Sequence, residues 1–530
     1  MAEKQKLIQQ DEEFITHAYA LFDELYTAAT PFRSKCMANE QYYKANHWEG
    51  IAKKEPNEPQ PVTPVLFSTL EGMLSDIMDN YPEPVLLAQE EGDEGLSQEL
   101  CEVLKYVLKR RDYRKTYREK CRQALIKGAS VQEVYWDDSL YGGMGDVNIR
   151  SWDIKHFLFD HRCEDIQQGR ACFKYGFYTK EWFVAHYPQA AEHLRPDAYS
   201  SGYGDEDEVM VLEYWYKDWV DGKSNVHMAK LAGHVLLERS EAEHPQGMYA
   251  HGQYPFVVEP LYRIDGSPIG LGMVDILKNM QDYADKLDQI ILKNAMMSGK
   301  VKMLINRNAE IDEDALTNWD TEVVRGSRID DGSVRWFQPA PLNPYVMAHY
   351  NSKIAAIKEE SGQTSFNRGE ANSGVTAASA IMALQEAGSK RSRLIVQQLY
   401  DGFESLVRMV IDVICENYQE ERIFRIRGGE VASDVVIAPN MLRRAEGDLE
   451  GYVEFDIRVQ VEKQSPYSTI YQNELAIQML RAGMIQPQEC LSMMSFEGKE
   501  KVLQQVQMRQ EEAEQMAALL QQSGSEMPAM

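Results

Sequence analysis

The 530-residue chain has little cysteine, a deficit of basic charge and no long apolar run. Its seven cysteines, at 36, 101, 121, 163, 172, 415 and 490, are odd in number and scattered. That spacing argues against a disulfide framework and for reduced thiols buried as small hydrophobes. The apolar runs fall far short of the roughly 20 residues of a membrane-spanning helix, and no hydrophobic segment follows the opening Met1-Ala-Glu-Lys-Gln-Lys6 to make a signal peptide. A protein made in the cytosol, without membrane contact, is therefore expected. Lys and Arg number 56 against 83 Asp and Glu, a net charge of −27. Affinity for DNA comes mostly from cations that neutralise phosphates, so a chain this acidic does not grip duplex over its whole surface.

Motifs of catalysis are missing too. The chain has no Gly-x-x-x-x-Gly-Lys-Ser/Thr phosphate loop, no Gly-x-Ser-x-Gly elbow and no His-Glu-x-x-His. Gly270-x-Gly272 has Asp275 where a dinucleotide fingerprint needs a third glycine. Tyr141-Gly-Gly-Met-Gly-Asp146 and Arg427-Gly-Gly-Glu430 sit between strand-like runs and read as hairpin turns. His156, Asp160, His161 and Cys163 form the one compact set with metal-ligand chemistry. Ile154 to Asp160 alternates like a strand, which puts His156 and Asp160 on one face and His161 on the other, so a polar strand end is the reading preferred over a metal site. No catalytic residue, cofactor or metal is assigned, and the chain is not expected to be an enzyme.

What is present is a globular composition, 44% hydrophobic, in a chain too long for one core and so divided into several domains. Its clearest pattern lies between residues 269 and 420. Val274, Leu277, Met280, Ala284, Leu287 and Ile291 recur at steps of three and four, predicting one buried stripe on a helix from Met273 to Ser298, about 39 Å long. Lys278, Asp282, Asp285, Lys286, Asp288 and Lys293 are expected on its solvated face. The period then changes. Val301–Ile305, Thr321–Val324 and Val334–Phe337 read as strands, with the acidic first turn of a short helix at Asp312. After Pro339, Pro341 and Pro344 a helix returns from Tyr345 to Glu360, residues 362–374 have loop composition, and Val375 to Tyr418 reads as one long helix with bends expected at Gly388 or Gly402.

The order of several soft motifs resembles the portal proteins, or head-to-tail connectors, of tailed bacteriophages. These motifs are Gln41–Trp48 ahead of Pro64-Val-Leu-Phe67, Gly128–Asp137 ahead of Gly145–Ile149, and Pro255–Pro260 leading into Gly270-Leu-Gly-Met-Val-Asp275 and Gln281. Glu360-Ser-Gly362 follows, then Gly374–Ala380 with Leu384, Gln385 and Arg391. The resemblance covers roughly residues 35 to 420 and implies an α+β, multidomain portal fold of wing, stem, clip and crown that assembles into a ring with a central channel. By position, residues 1–268 resemble the amino-terminal wing, 269–298 the first stem helix, 299–344 the clip, 345–361 the second stem helix and 362–374 the tunnel loop. Residues 375–462 resemble the long wing helix with closing strands, and 463–530 a helical crown.

The family further implies a dodecameric ring at one capsid vertex of the virion, assembled in the host bacterial cytoplasm, through which double-stranded DNA is packaged and ejected. Its implied partners are further copies of the chain, the terminase large subunit, a head-tail adaptor, and the major capsid and scaffolding proteins. Gln363, Thr364, Ser365, Asn367 and Arg368 of the tunnel loop are expected to contact DNA, offering hydrogen bonds without dense charge. Asp312, Glu313, Asp314 and Trp319 of the clip are expected to dock terminase and adaptor, with Trp336 a second aromatic anchor. Ten Lys or Arg between Leu104 and Lys127 interleave with Tyr106, Tyr113 and Tyr117. They suit either a DNA-facing helix or cations paired to acids in the same or an adjacent subunit. Tyr467–Met484 and Glu497–Gln522 read as amphipathic crown helices. A nuclease with carboxylate-held metal and a non-portal structural ring such as a tail adaptor are the competing classes.

Overall fold

The structure is a computed structural model that describes residues 2–494 and 502, apart from 54–55, 57, 90–92, 161, 195–207, 221, 300–301, 307, 309, 318–319, 321, 329, 331, 338–340, 363–389, 427–432, 447–448, 454 and 462–465. The fold is mixed α+β, and its organising element is a three-stranded antiparallel sheet in the order Asp146–Trp152, Ala129–Asp137, Phe256–Pro260. The central strand is buried over its first six residues, hence on both faces. Helices Val65–Met78, Glu94–Arg110, Tyr113–Lys127 and Lys390–Asn417 share one continuous apolar core with this sheet. Tyr113, Tyr117 and Phe403 lie at its centre, all fully buried.

A second sheet is a five-stranded meander, Phe157–Phe159, Ala171–Thr179, Glu208–Val220, Lys223–Ala232 and Val235–Arg239 in sequential order. The 42-residue helix Ala2–Tyr43 covers part of it. Ala18, Phe22 and Leu25 form a separate core with Phe173, Tyr175 and Tyr214, and the rings of Phe22 and Phe173 meet edge to face at 5.6 Å. The carboxyl-terminal third returns to this amino-terminal body: Pro82–Ala88 pairs antiparallel with Phe455–Val461 over the full length of both strands.

Between the two halves runs a helical hairpin, Met273–Gly299 and Pro344–Glu360. Pro344 occupies the first turn, where its missing N–H costs nothing, and the Asn343 side chain accepts from Tyr345 N at 3.0 Å. At the hairpin's far end Lys302–Ile305 pairs with Val334–Phe337, and Glu313–Thr317 forms the short helix, with Asp312 accepting from Ala315 N. Residues 322–324 are not a strand, and the sheet here has only the two strands 302–305 and 334–337 among the described residues.

The long helix is described from Lys390 to Asn417; its expected start at Val375 and the expected bend at Gly388 lie outside the described residues. Gly402 has a packing reason rather than a bend to explain it, since the Glu259 carboxylate fills the space where a Cβ would project. The Tyr141–Asp146 turn joins two paired strands, with left-handed backbone at Tyr141, Gly142, Gly143 and Gly145. The strands flanking 427–432 also pair antiparallel. Of the two expected terminal helices, the first is Pro466–Arg481, followed by a short helix Pro487–Met493, and 497–522 lies outside the described residues except for Val502.

Candidate channel and docking surfaces

The helical hairpin is held at its base by polar groups. Asn39 donates to Asp275 Oδ1 at 2.8 Å and Lys35 pairs with Asp275 Oδ2 at 2.9 Å. Tyr42 donates to Asp282. The His47 ring is 2.6 Å from Asp285 through Nδ1 and 3.1 Å from the Tyr42 carbonyl through Nε2, so both nitrogens face acceptors. Gln281, fully buried, accepts from Leu66 N and donates to Thr63 O at 2.8 Å and to Asp285 Oδ1 at 3.0 Å. Asp285 was expected on a solvated face. It is buried because these donors surround it, and a buried carboxylate persists only when paired. The motif residues quoted for Gln41–Trp48, Pro64–Phe67, Asp275 and Gln281 thus converge on one joint.

Beyond that joint the expected buried stripe ends. Met273, Val274, Leu277, Ala284 and Asp285 are buried, but no residue of the helix after Asp285 is. Large apolar side chains instead face outward: Tyr283 is 58% exposed, Ile290 51%, Met297 49% and Tyr345 70%. Several large apolar side chains uncovered along one helical hairpin are the kind of surface that a protein interface buries.

Asp312, Glu313 and Asp314 are exposed at the hairpin's far end, an acidic tip; Trp319 lies outside the described residues, as do the side chain of Trp336 and all five tunnel-loop residues Gln363, Thr364, Ser365, Asn367 and Arg368. The structure therefore places three of the nine expected site residues and brings those three together.

The basic stretch is two helices, Glu94–Arg110 and Tyr113–Lys127, broken at Asp112, whose φ is 50°. At least five of its ten cations pair with acids among the described residues. Arg111 lies 2.6 Å from Asp146, Lys127 is 2.9 Å from Glu40 and 2.6 Å from Asp153, Lys105 pairs with Glu102, Arg122 with Glu71, and buried Lys120 with buried Glu259. Burial pushes the Glu259 carboxyl above its ordinary range, and Lys120 offsets this only in part. Sequence reasoning missed Glu133, 2% exposed on the central strand. Burial pushes its carboxyl up, but Lys174 at 2.9 Å and Arg150 at 2.7 Å outweigh that and hold it below the usual range.

Among the described residues no group of three or more His, Cys, Asp or Glu is placed to hold a metal. His156 ends a turn whose cap is Asp153 instead of continuing a strand, and its ring stands edge-on to Tyr175. Asp160 accepts from Arg170 Nε at 2.7 Å and from Arg162 N, while Cys163 donates to the Asp160 carbonyl. These are ordinary turn contacts. No described helix is long and apolar enough to cross a membrane.

The profile of the phage P22-like portal proteins matches residues 19–530, nearly the whole chain. The chain belongs to the P22-like portal family. A comparison with curated proteins gave no match. Portal proteins are structural components of bacteriophage DNA packaging and not enzymes. Membership implies a homo-oligomeric ring and DNA as its cargo.

Proposed function

We propose that this chain forms a dodecameric ring at one capsid vertex of the virion, assembled in the host cytoplasm, whose central channel passes the genome during packaging and ejection. The observation that supports this beyond family membership is the uncovered apolar face of the helical hairpin, which a neighbouring copy buries. Residues 269–298 and 345–361 act as the stem, 299–344 as the clip, 1–268 with 375–462 as the wing, and 463–530 as the crown. The tunnel loop at 362–374 contacts duplex through Gln363, Thr364, Ser365, Asn367 and Arg368, one arginine per subunit guiding the backbone. The acidic clip tip with Asp312, Glu313, Asp314 and Trp319 docks the terminase large subunit and later the head-tail adaptor. Capsid and scaffolding proteins meet the wing side. With a net charge of −27 the channel wall is mostly electronegative and lets DNA slide.

Ile290→Asp combined with Met297→Asp tests the reading. The expected result is a folded, singly dispersed variant beside a native chain that forms closed rings. A variant that assembles normally, or a native chain that stays dispersed at high concentration, contradicts it.

A further inference from the structure

The strand Phe256–Pro260 is an edge of the three-stranded sheet, paired with Ala129–Asp137 on one side only. Two backbone bonds at its ends, Val134 N to the Pro255 carbonyl and Leu261 N to the Gly128 carbonyl, both 3.0 Å, fix which way its polar groups point. These directions alternate along an antiparallel strand, so Val257 and Glu259 turn theirs into the ladder, and Phe256, Val258 and Pro260 turn theirs outward. At one end of this outer edge the Gln167 amide stands in for a strand. It accepts from Tyr254 N at 2.8 Å and donates to the carbonyls of Tyr254 at 3.0 Å and Phe256 at 3.3 Å. At the other end Pro260 has no N–H to offer. Between them the outward N–H and carbonyl of half-buried Val258 are unpaired among the described residues.

That edge floors a groove of 390 Å³. Gln398, Asp401 and Ser405, spaced three and four apart on one flank of the helix Lys390–Asn417, form one wall. Glu164, Asp165, Asp265 and Asp401 stand exposed around it, and Arg263 is the sole cation of its lining among the described residues. An unpaired strand edge is a template for another extended chain, and the charge of the walls selects which chain enters.

We propose that this groove binds an extended, basic peptide segment of a partner protein, which adds as a fourth strand beside Phe256–Pro260. The segment's backbone accepts from Val258 N and donates to its carbonyl. Its lysine or arginine side chains, set at alternate positions of the strand, reach the carboxylates around the groove. Backbone pairing supplies the affinity for an extended conformation, and the carboxylates supply the choice of partner. The contact weakens with salt, because the carboxylates are exposed. It does not depend on the ring reading.

A short synthetic peptide that alternates lysine with valine and carries a fluorophore is the probe, and fluorescence anisotropy with the native full-length chain is the readout. One control peptide has glutamate in place of lysine, and another has methylated backbone nitrogens. The native chain is expected to bind the probe and to bind each control at least about tenfold more weakly, with hydrogen exchange at the Val258 amide slowed by the probe. Val258→Pro removes the outward N–H and none of the ladder bonds, a change that an edge strand tolerates. Asp265→Lys with Asp401→Lys reverses charge on the walls. Both variants, with the fold checked by circular dichroism, are expected to lose about tenfold in affinity for the probe, and the second to prefer the glutamate peptide. Absence of binding by the native chain overturns the proposal. Equal binding of the methylated peptide, or undiminished binding by Val258→Pro, overturns strand addition, and indifference to charge reversal overturns the basic partner.

Discussion

The carboxylate of Glu259 lies directly against Gly402, in the space any larger residue there requires. Glu259 is itself held by Lys120, so it cannot swing aside without breaking a buried ion pair. Gly402→Ala is therefore expected to destabilise the subunit by about 1–3 kcal/mol through overpacking, although alanine usually improves a helix interior by about 1 kcal/mol. Denaturant unfolding of the dispersed subunit measures this, and a gain in stability contradicts the close approach.

One helical turn after Arg408, Asp412 is partly buried, and burial, aided by Glu416 and opposed by Arg408, pushes its carboxyl up to about 6. A carboxyl raised by folding favours the protonated native state. Its contribution is present at low pH and is lost as pH rises from the ordinary value of 3.8 through about 6. Asp412→Asn is expected to add about 3 kcal/mol at pH 7 and nothing below about pH 3. Stability measured against pH in both proteins reads the difference; parallel curves exclude the effect.

Gln281 satisfies Leu66 N, Thr63 O and Asp285 at once. Gln281→Leu keeps a similar volume but removes the partner of Leu66 N and Thr63 O and one of the donors to Asp285, at a cost of about 3 kcal/mol. Faster proteolysis in the 44–62 segment is the expected companion, because that segment is tied to the helical hairpin through Thr63 and Gln281. Unchanged unfolding and proteolysis contradict a structural joint here.

Deleting residues 364–372 is expected to leave rings assembled while genome packaging or retention fails. Particle yield and DNA content per particle measure it. Fully packaged, infectious particles remove the loop from any role in DNA contact.

How much of this was legible depended on the range of the interaction. Local periodicity placed the hairpin helices within a residue or so, because the spacing of Val274, Leu277 and Ala284 reports burial directly. It failed where partners come from afar. Asp285 looked like a solvated acid until His47 and Thr63 arrived from the amino-terminal segment, and Glu133 gave no sign of burial because its cations lie on two other strands. The 322–324 run has strand-forming valines but pairs with no strand, and pairing, more than propensity, makes a strand. Likewise nothing local announces that Pro82–Ala88 will meet Phe455–Val461. Of the soft motifs whose order carried the family reading, Gln41–Trp48, Pro64–Phe67 and Gln281 meet at the base of the helical hairpin.

Electron microscopy of the purified native protein, viewed end-on, tests the central claim most directly. The account predicts closed rings of uniform symmetry with a bore that admits B-form duplex. Dispersed single chains, or closed rings whose opening is too narrow for a double helix, contradict it.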